Sequence, residues 1–348
     1  MRGAFLAVRD FAGPLQDLGY ELKLESFDDR MDSRAAVTQA HAIVDNPEIL
    51  CGVGPYSSRI FNEVELIFHN AGLGFIGPST TAAFVTSSGY PEISRVVGRN
   101  DAQGAVGAQF AQAQGLTRVA ILSDGTPYSQ FNASHFTEEA SRLGLTITSN
   151  TTTRGVRDFD SLVDRMLADE VQLVYFSSLN LEQVGTFFRE ARSAGYTGSF
   201  LGPDALDNPE LLNSSGTSLV TGGGTYYTSM AAPASAYPGA ADFVGAYTDL
   251  YGKPPPLYSA EAYDAASICI AAILQSMEAR DGELPTRAEV ASAVRAQDGF
   301  AGITGTYRFD RNGDPDPARY YAFQVASASP ANWLRNKLVA SYELPPPS

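Results

Sequence analysis

The sequence predicts an α/β protein made of two doubly wound, Rossmann-like lobes, each with a parallel central sheet. Short apolar runs of strand type alternate with amphipathic helical patterns, and they do so in two successive series. Small polar clusters follow several of these runs, where loops turn toward helices. The length of 348 residues also exceeds one ordinary domain and suits two separate cores.

The first series of strands is expected at Glu21–Ser26, Ile49–Val53, Gly74–Ile76 and Ser94–Val97. The second follows at Val119–Ser123, Leu145–Ser149, Leu173–Ser177 and Ser199–Leu201, at near-constant spacing. Helical faces fill the gaps: Ala36, Val37, Ala40, Ile43 and Val44 share one, as do Leu162, Val163, Met166 and Leu167. Val184, Phe187, Phe188 and Ala191 make a third. A helix-rich stretch runs from Asp242 to Ala296, and the Gly/Ala-rich Thr228–Ala241 reads as a loop passing between lobes, so each lobe is discontinuous. Asn312-Gly313 is a hairpin signal between Tyr307–Asp310 and Tyr321–Val325. The tail Leu344–Ser348 reads as a disordered end.

A hydrophobic content of 44% and a charged content of 18% are those of a globular protein. The formal charge of −15, with no basic stripe to offset it, argues against nucleic acid. No apolar run reaches the ~18 residues of a membrane span, and Met1-Arg2-Gly3 leads straight into a helical pattern rather than a signal peptide. Cys51 and Cys269 read as small buried hydrophobes rather than a disulfide pair. Catalytic motifs are missing: there is no nucleophile elbow, phosphate-binding loop or metal-ligand spacing, and His41, His69 and His135 fall in helical patterns away from strand ends. Asp310–Asp314 lacks the glycine and glutamate of a calcium loop and reads as a turn. No enzyme, metal or cofactor is expected.

Three clusters suit a zwitterion. Gly54-Pro55-Tyr56-Ser57-Ser58 and Gly77-Pro78-Ser79-Thr80-Thr81 follow neighbouring strands, and their hydroxyls either cap helices or, with the backbone N–H groups there, hold a carboxylate. Two such turns on one sheet edge favour binding. Asp204, after Phe200-Leu201-Gly202-Pro203, has no Lys or Arg close in sequence and would receive an ammonium group, the other reading being an Asx turn. Tyr128 ends another strand and either lines the site or packs in the core.

These clusters resemble those of the leucine/isoleucine/valine-binding family, the type I periplasmic binding proteins of ABC importers. The likeness continues through Arg95–Gly104, Ala191–Gly195, Gly202-Pro203-Asp204, Ala262–Ala265 and Gly305–Asp310, and covers nearly the whole chain in order. It implies two lobes joined by three crossings that close on a ligand like a hinged trap, with residues 1–98 and 228–318 in one lobe and 99–227 and 319–348 in the other. The Ser57 hydroxyl, the Ser79 backbone and Thr81 would then hold an α-carboxylate, and Asp204 the α-ammonium. Tyr56, Thr80, Tyr128, Leu179 and Asn180 complete the expected ligand-binding set. The resemblance further implies a monomer, periplasmic or held outside the cell by a lipid anchor, that serves an ABC permease. It also admits a ligand-sensing regulator for an amide or small organic acid.

Two departures stand out. The family begins with a strand and a glycine loop before the helix that here starts near Arg2, so the first lobe would lack its first strand. At Ser178-Leu179-Asn180 the family often has a tyrosine, which implies a pocket shaped differently from one for a branched aliphatic side chain.

Overall fold

A computed structural model of the chain describes residues 1–347; Ser348, the last residue of the expected tail, lies outside them. The strands, in chain order, are β1 Cys51–Val53, β2 Gly74–Gly77, β3 Ile93–Arg95, β4 Arg118–Ser123, β5 Thr146–Thr152, β6 Leu173–Ser177, β7 Ser199–Gly202, β8 Thr225–Ser229, β9 Asp298–Ala301, β10 Thr306–Arg308, β11 Ala318–Gln324 and β12 Lys337–Leu344. The chain divides into two compact units. Unit 1 takes Met1–Asn100, Ala231–Arg319 and the tail from Leu344, and unit 2 takes Asp101–Met230 and Tyr320–Glu343.

Unit 1 holds a parallel sheet in the order β1-β2-β3, with Val53 opposite Ile76 and Ile76 opposite Ser94. The helix Ser58–Asn70 turns Ile60, Phe61, Val64 and Phe68 onto this sheet, one side of a 3.6-residue repeat. Phe68 stacks on Phe75 with ring centroids 4.0 Å apart. Buried Ala36 and Ala40 of the helix Ser33–Asp45 and Ile93 of β3 complete the cluster.

Unit 2 holds seven strands in the order β12-β11-β8-β7-β6-β4-β5. The five from β5 to β8 are mutually parallel, and β11 joins antiparallel to β8. Leu173–Ser177 is buried throughout, as expected for a strand covered on both faces. Phe110, Val119, Ile121, Phe136, Tyr175 and Leu201 form its core.

Several expectations need correction. Glu21–Ser26 is an exposed stretch without strand structure, because apolar alternation makes a strand only where a neighbouring edge accepts its hydrogen bonds. The expected loop Thr228–Ala241 begins inside strand β8, Thr225–Ser229, whose Thr and Tyr residues carry a β signal through to Ser229. The turn at Asn312-Gly313 closes only an isolated bridge from Phe309 to Pro315, since β10 pairs with β9 and β11 runs into the sheet of unit 2. The tail is ordered at its start: Leu344 ends β12, and the Pro347 carbonyl accepts from Arg99 at 2.9 Å.

Cys51 and Cys269 form a disulfide, contrary to the expectation of two buried thiols. The helix Ser259–Glu278 runs across β1 and brings the two Cα atoms to 5.8 Å, within bonding range. A separation of 218 residues hides this proximity from any local reading.

Candidate functional site

One set of candidate residues belongs to unit 1. Because β1 and β2 are parallel neighbours in register, the loops that leave their C-terminal ends start side by side. Gly54 has φ 133°, a conformation that side chains with a Cβ rarely adopt, and it lets β1 turn sharply into Pro55-Tyr56-Ser57. The two loops are stitched together: the Ser79 hydroxyl donates to the Tyr56 carbonyl at 2.9 Å, and Ala82 N–H donates to Ser58 Oγ at 3.2 Å.

Arg95, fully buried on β3, holds the second loop from behind. Its Nη1 donates to the carbonyls of Thr80 and Ala82, both at 2.8 Å, and Nε meets Asp314 Oδ1 at 2.5 Å. With those carbonyls drawn toward the guanidinium, the N–H groups of Ser79, Thr80 and Thr81 have no acceptor among the described residues. The helix that follows this loop is a single turn, Phe84–Ser87, too short for a useful macrodipole, so free N–H groups supply the donors here.

Ser57 is the N-cap residue of Ser58–Asn70, yet its hydroxyl makes no capping bond and stays available. Thr81 is half-buried, and its hydroxyl forms no bond among the described residues. Thr80 is different: it is fully buried, with Oγ1 packed so closely over Gly77 that a Cβ there would lie 1.9 Å away. Tyr56 is 66% exposed and meets the Tyr258 ring edge-on at 6.2 Å. Tyr258 escaped the sequence reading; the signal for it was an aromatic residue directly after Pro254-Pro255-Pro256-Leu257.

A second set belongs to unit 2. Gly202 ends β7 where a Cβ would lie 2.4 Å from Leu206 and 2.6 Å from the Phe176 carbonyl, so only glycine permits the tight turn into Asp204. Asp204 is half-buried. Its Oδ1 accepts from the Tyr128 hydroxyl at 2.7 Å and from Gln103 Nε2 at 2.8 Å, while Oδ2 has no donor among the described residues. Both donors are neutral. Burial and then the neighbouring Asp204 charge push the Tyr128 hydroxyl well above its ordinary pKa, so it remains a donor at any physiological pH.

Asp124 ties the loops after β4 and β6 together. Its Oδ1 accepts from Thr126 N–H at 2.9 Å and from the Thr126 and Ser129 hydroxyls. Its Oδ2 accepts from the Ser178 hydroxyl and Leu179 N–H, both at 2.9 Å. Leu179 is 58% exposed, held through its backbone, and Asn180 spends its side-chain oxygen on capping Leu181–Ser193 by way of Gln183 N–H. Thus Ser57, Ser79 and Thr81 gather in unit 1, Tyr128 joins Asp204 in unit 2, and Asn180 serves a helix.

Among the described residues no group of His, Cys, Asp and Glu could hold a metal ion, and no helix is long and apolar enough to cross a membrane.

The profile of a family described as periplasmic binding protein matches residues 1–330. The chain is 28% identical to the leucine-, isoleucine-, valine-, threonine-, and alanine-binding protein of Pseudomonas aeruginosa, over 90% of this chain and 81% of that one. It is 30% identical to an amino acid binding protein of the same species over 62% of this chain, and there spans 58% of the relative's length. Among solved structures, a leucine binding protein from Thermotoga maritima superposes with a TM-score of 0.69 at 26% identity, covering 98% of this chain and 92% of the other. An ABC transporter substrate-binding protein from Desulfitobacterium hafniense gives a TM-score of 0.77 at 23% identity over 97% and 94%, a likeness of fold. With the two-unit α/β architecture, a family match over nearly the whole chain identifies it: the protein belongs to the periplasmic binding protein family, of the leucine/isoleucine/valine-binding type.

Proposed function

We propose that the chain is the extracytoplasmic substrate-binding component of an ABC importer, that it captures an L-amino acid or similar small zwitterion, and that it delivers this to a membrane permease. Two sets of polar groups, one in each unit, carry the reading. Unit 1 supplies uncommitted donors, namely the N–H groups of Ser79–Thr81 and the hydroxyls of Ser57 and Thr81, which suit the α-carboxylate. Unit 2 supplies Asp204 with one oxygen open, which suits the α-ammonium. The aromatic pair Tyr56 and Tyr258 adds an apolar wall beside the carboxylate turns. A binding role, rather than catalysis, agrees with the family and with relatives named for binding amino acids.

The disulfide supports an extracytoplasmic location, since such bonds persist in oxidising compartments. A thermal-shift panel of the L-amino acids, their deaminated acids and their amides tests the assignment. Free amino acids should raise the melting temperature, and analogues lacking the ammonium should not. Asp204→Ala should then weaken binding of the best amino acid by about 2–5 kcal/mol, because a desolvated ammonium is left without its partner. Undiminished affinity in calorimetric titration rejects the role of Asp204.

A further inference from the structure

Gln103 is the first residue of the helix Gln103–Ala113, is fully buried, and makes three hydrogen bonds whose directions leave one orientation for its amide. Oε1 accepts from the Asp204 backbone N–H at 2.9 Å and from the Thr228 hydroxyl at 3.0 Å. An N–H can only donate, so the oxygen must face it. Nε2 is thereby turned to the Asp204 side chain and donates to Oδ1 at 2.8 Å. One side chain grips Asp204 by backbone and carboxylate together, and Thr228, itself fully buried on β8, braces it.

We propose that Gln103 is a positioning residue for ligand recognition: it fixes the Asp204 carboxylate with Oδ1 engaged and Oδ2 open, and does so without lending a positive charge. The claim rests on the reading of Asp204 as the receiver of a ligand ammonium. The chemistry of the amide explains the choice. A lysine or arginine there would neutralise Asp204 and remove its attraction for a cation. A carboxylate there would repel it, unless the two shared a proton. The neutral amide, with the neutral Tyr128 hydroxyl, leaves the whole negative charge of Asp204 to the ligand, so the site demands a cationic group.

The test compares Gln103→Glu, Gln103→Met and Thr228→Val with the native chain, using calorimetric titration with L-leucine at pH 5 and pH 8. Gln103→Met should bind at least tenfold more weakly at both pH values, and Thr228→Val a few-fold more weakly. Gln103→Glu should bind within a few-fold of native at pH 5, where a shared proton replaces the amide N–H, and at least tenfold worse relative to native at pH 8. A merely structural role would not produce that widening ratio. Equal deficits for the glutamate variant at both pH values, or all three variants within twofold of native, overturn the proposal.

A second arm needs no ligand. Carboxyl ¹³C spectra of aspartate-labelled chains follow the titration of Asp204, whose signal is assigned by its loss in Asp204→Asn. A second carboxylate in place of the amide should alter that titration curve in Gln103→Glu, and an unaltered curve overturns the contact. If L-leucine and the other amino acids do not bind the native chain, the functional reading fails, while the spectra still decide whether Gln103 governs Asp204.

Discussion

Unit 1 supports its candidate residues on a sheet of three strands, whereas unit 2 carries its own on a sheet of seven. The smaller sheet is reinforced by point attachments: the disulfide from β1 to the helix Ser259–Glu278, and the buried Arg95–Asp314 pair that also grips the carbonyls of Thr80 and Ala82. The larger sheet relies on a continuous apolar core and on hydrogen-bonded carboxylates, Asp124 and Asp204, that fasten loops to one another. A broad sheet positions its loops through packing and hydrogen bonds from neutral donors. A narrow one needs charge and covalent bonds to hold loops of the same kind still.

Arg95→Leu should break this contrast most sharply. Removing the guanidinium leaves Asp314 buried with its main ion-pair partner gone and frees two carbonyls, a cost of about 3–5 kcal/mol. The chain's single tryptophan, Trp333, lies in unit 2. In urea, circular dichroism should therefore begin its transition earlier than Trp333 fluorescence in the variant; coincident, unshifted transitions would contradict a local role for the pair. Replacing Cys51 and Cys269 with alanine opens a loop of 218 residues and should cost about 2–5 kcal/mol, read as a lower urea midpoint.

A third effect depends on pH. Glu261, near the start of Ser259–Glu278, is fully enclosed, and its Oε1 accepts from the Tyr237 hydroxyl. Burial pushes its carboxyl up from 4.5 to about 7. The folded chain therefore keeps a proton that the unfolded chain has already released, so this stabilisation is complete below pH 4.5 and is lost as the pH rises to about 7. Glu261→Gln keeps the bond and removes the ionisation. It should match the native chain near pH 4 and exceed it by up to about 3 kcal/mol at pH 8 in urea titrations.

The smallest change belongs to unit 2. Burial opposes the charge on Asp124, yet bonds from Ser129, Thr126 and the Leu179 N–H outweigh it and hold the carboxyl well below its ordinary value. Its contribution is present above the unfolded value, near pH 4, and is lost as the pH falls below that. Asp124→Asn should cost about 1–2 kcal/mol at pH 7, and the difference from the native chain should shrink on acidification toward pH 3. A constant difference would place the effect in packing instead.

The outline of the fold was legible because βαβ units write themselves as local patterns. Leu173–Ser177 was found to the residue, and the helix Ser259–Glu278 falls within the helix-rich stretch expected from Asp242 to Ala296. What failed depended on distant partners. Glu21–Ser26 has the alternation of a strand but no edge to join, and Cys51 has no local mark of Cys269. The candidate site divides the same way. The clusters around Ser57, Ser79 and Asp204 stand at strand ends that periodicity marks, whereas the roles of Gln103 and Arg95 arise from contacts 101 and 219 residues away.

The link between Cys51 and Cys269 also sets an order of events at birth. A chain emerging from the ribosome presents Cys51 early, and its mate appears only 218 positions later, after most of unit 2. Throughout that interval Cys51 is an unpaired thiol on a half-built sheet, while the strands β4–β8 are already free to assemble. The bond between the two therefore forms late, only after Cys269 of the 348-residue chain has been made.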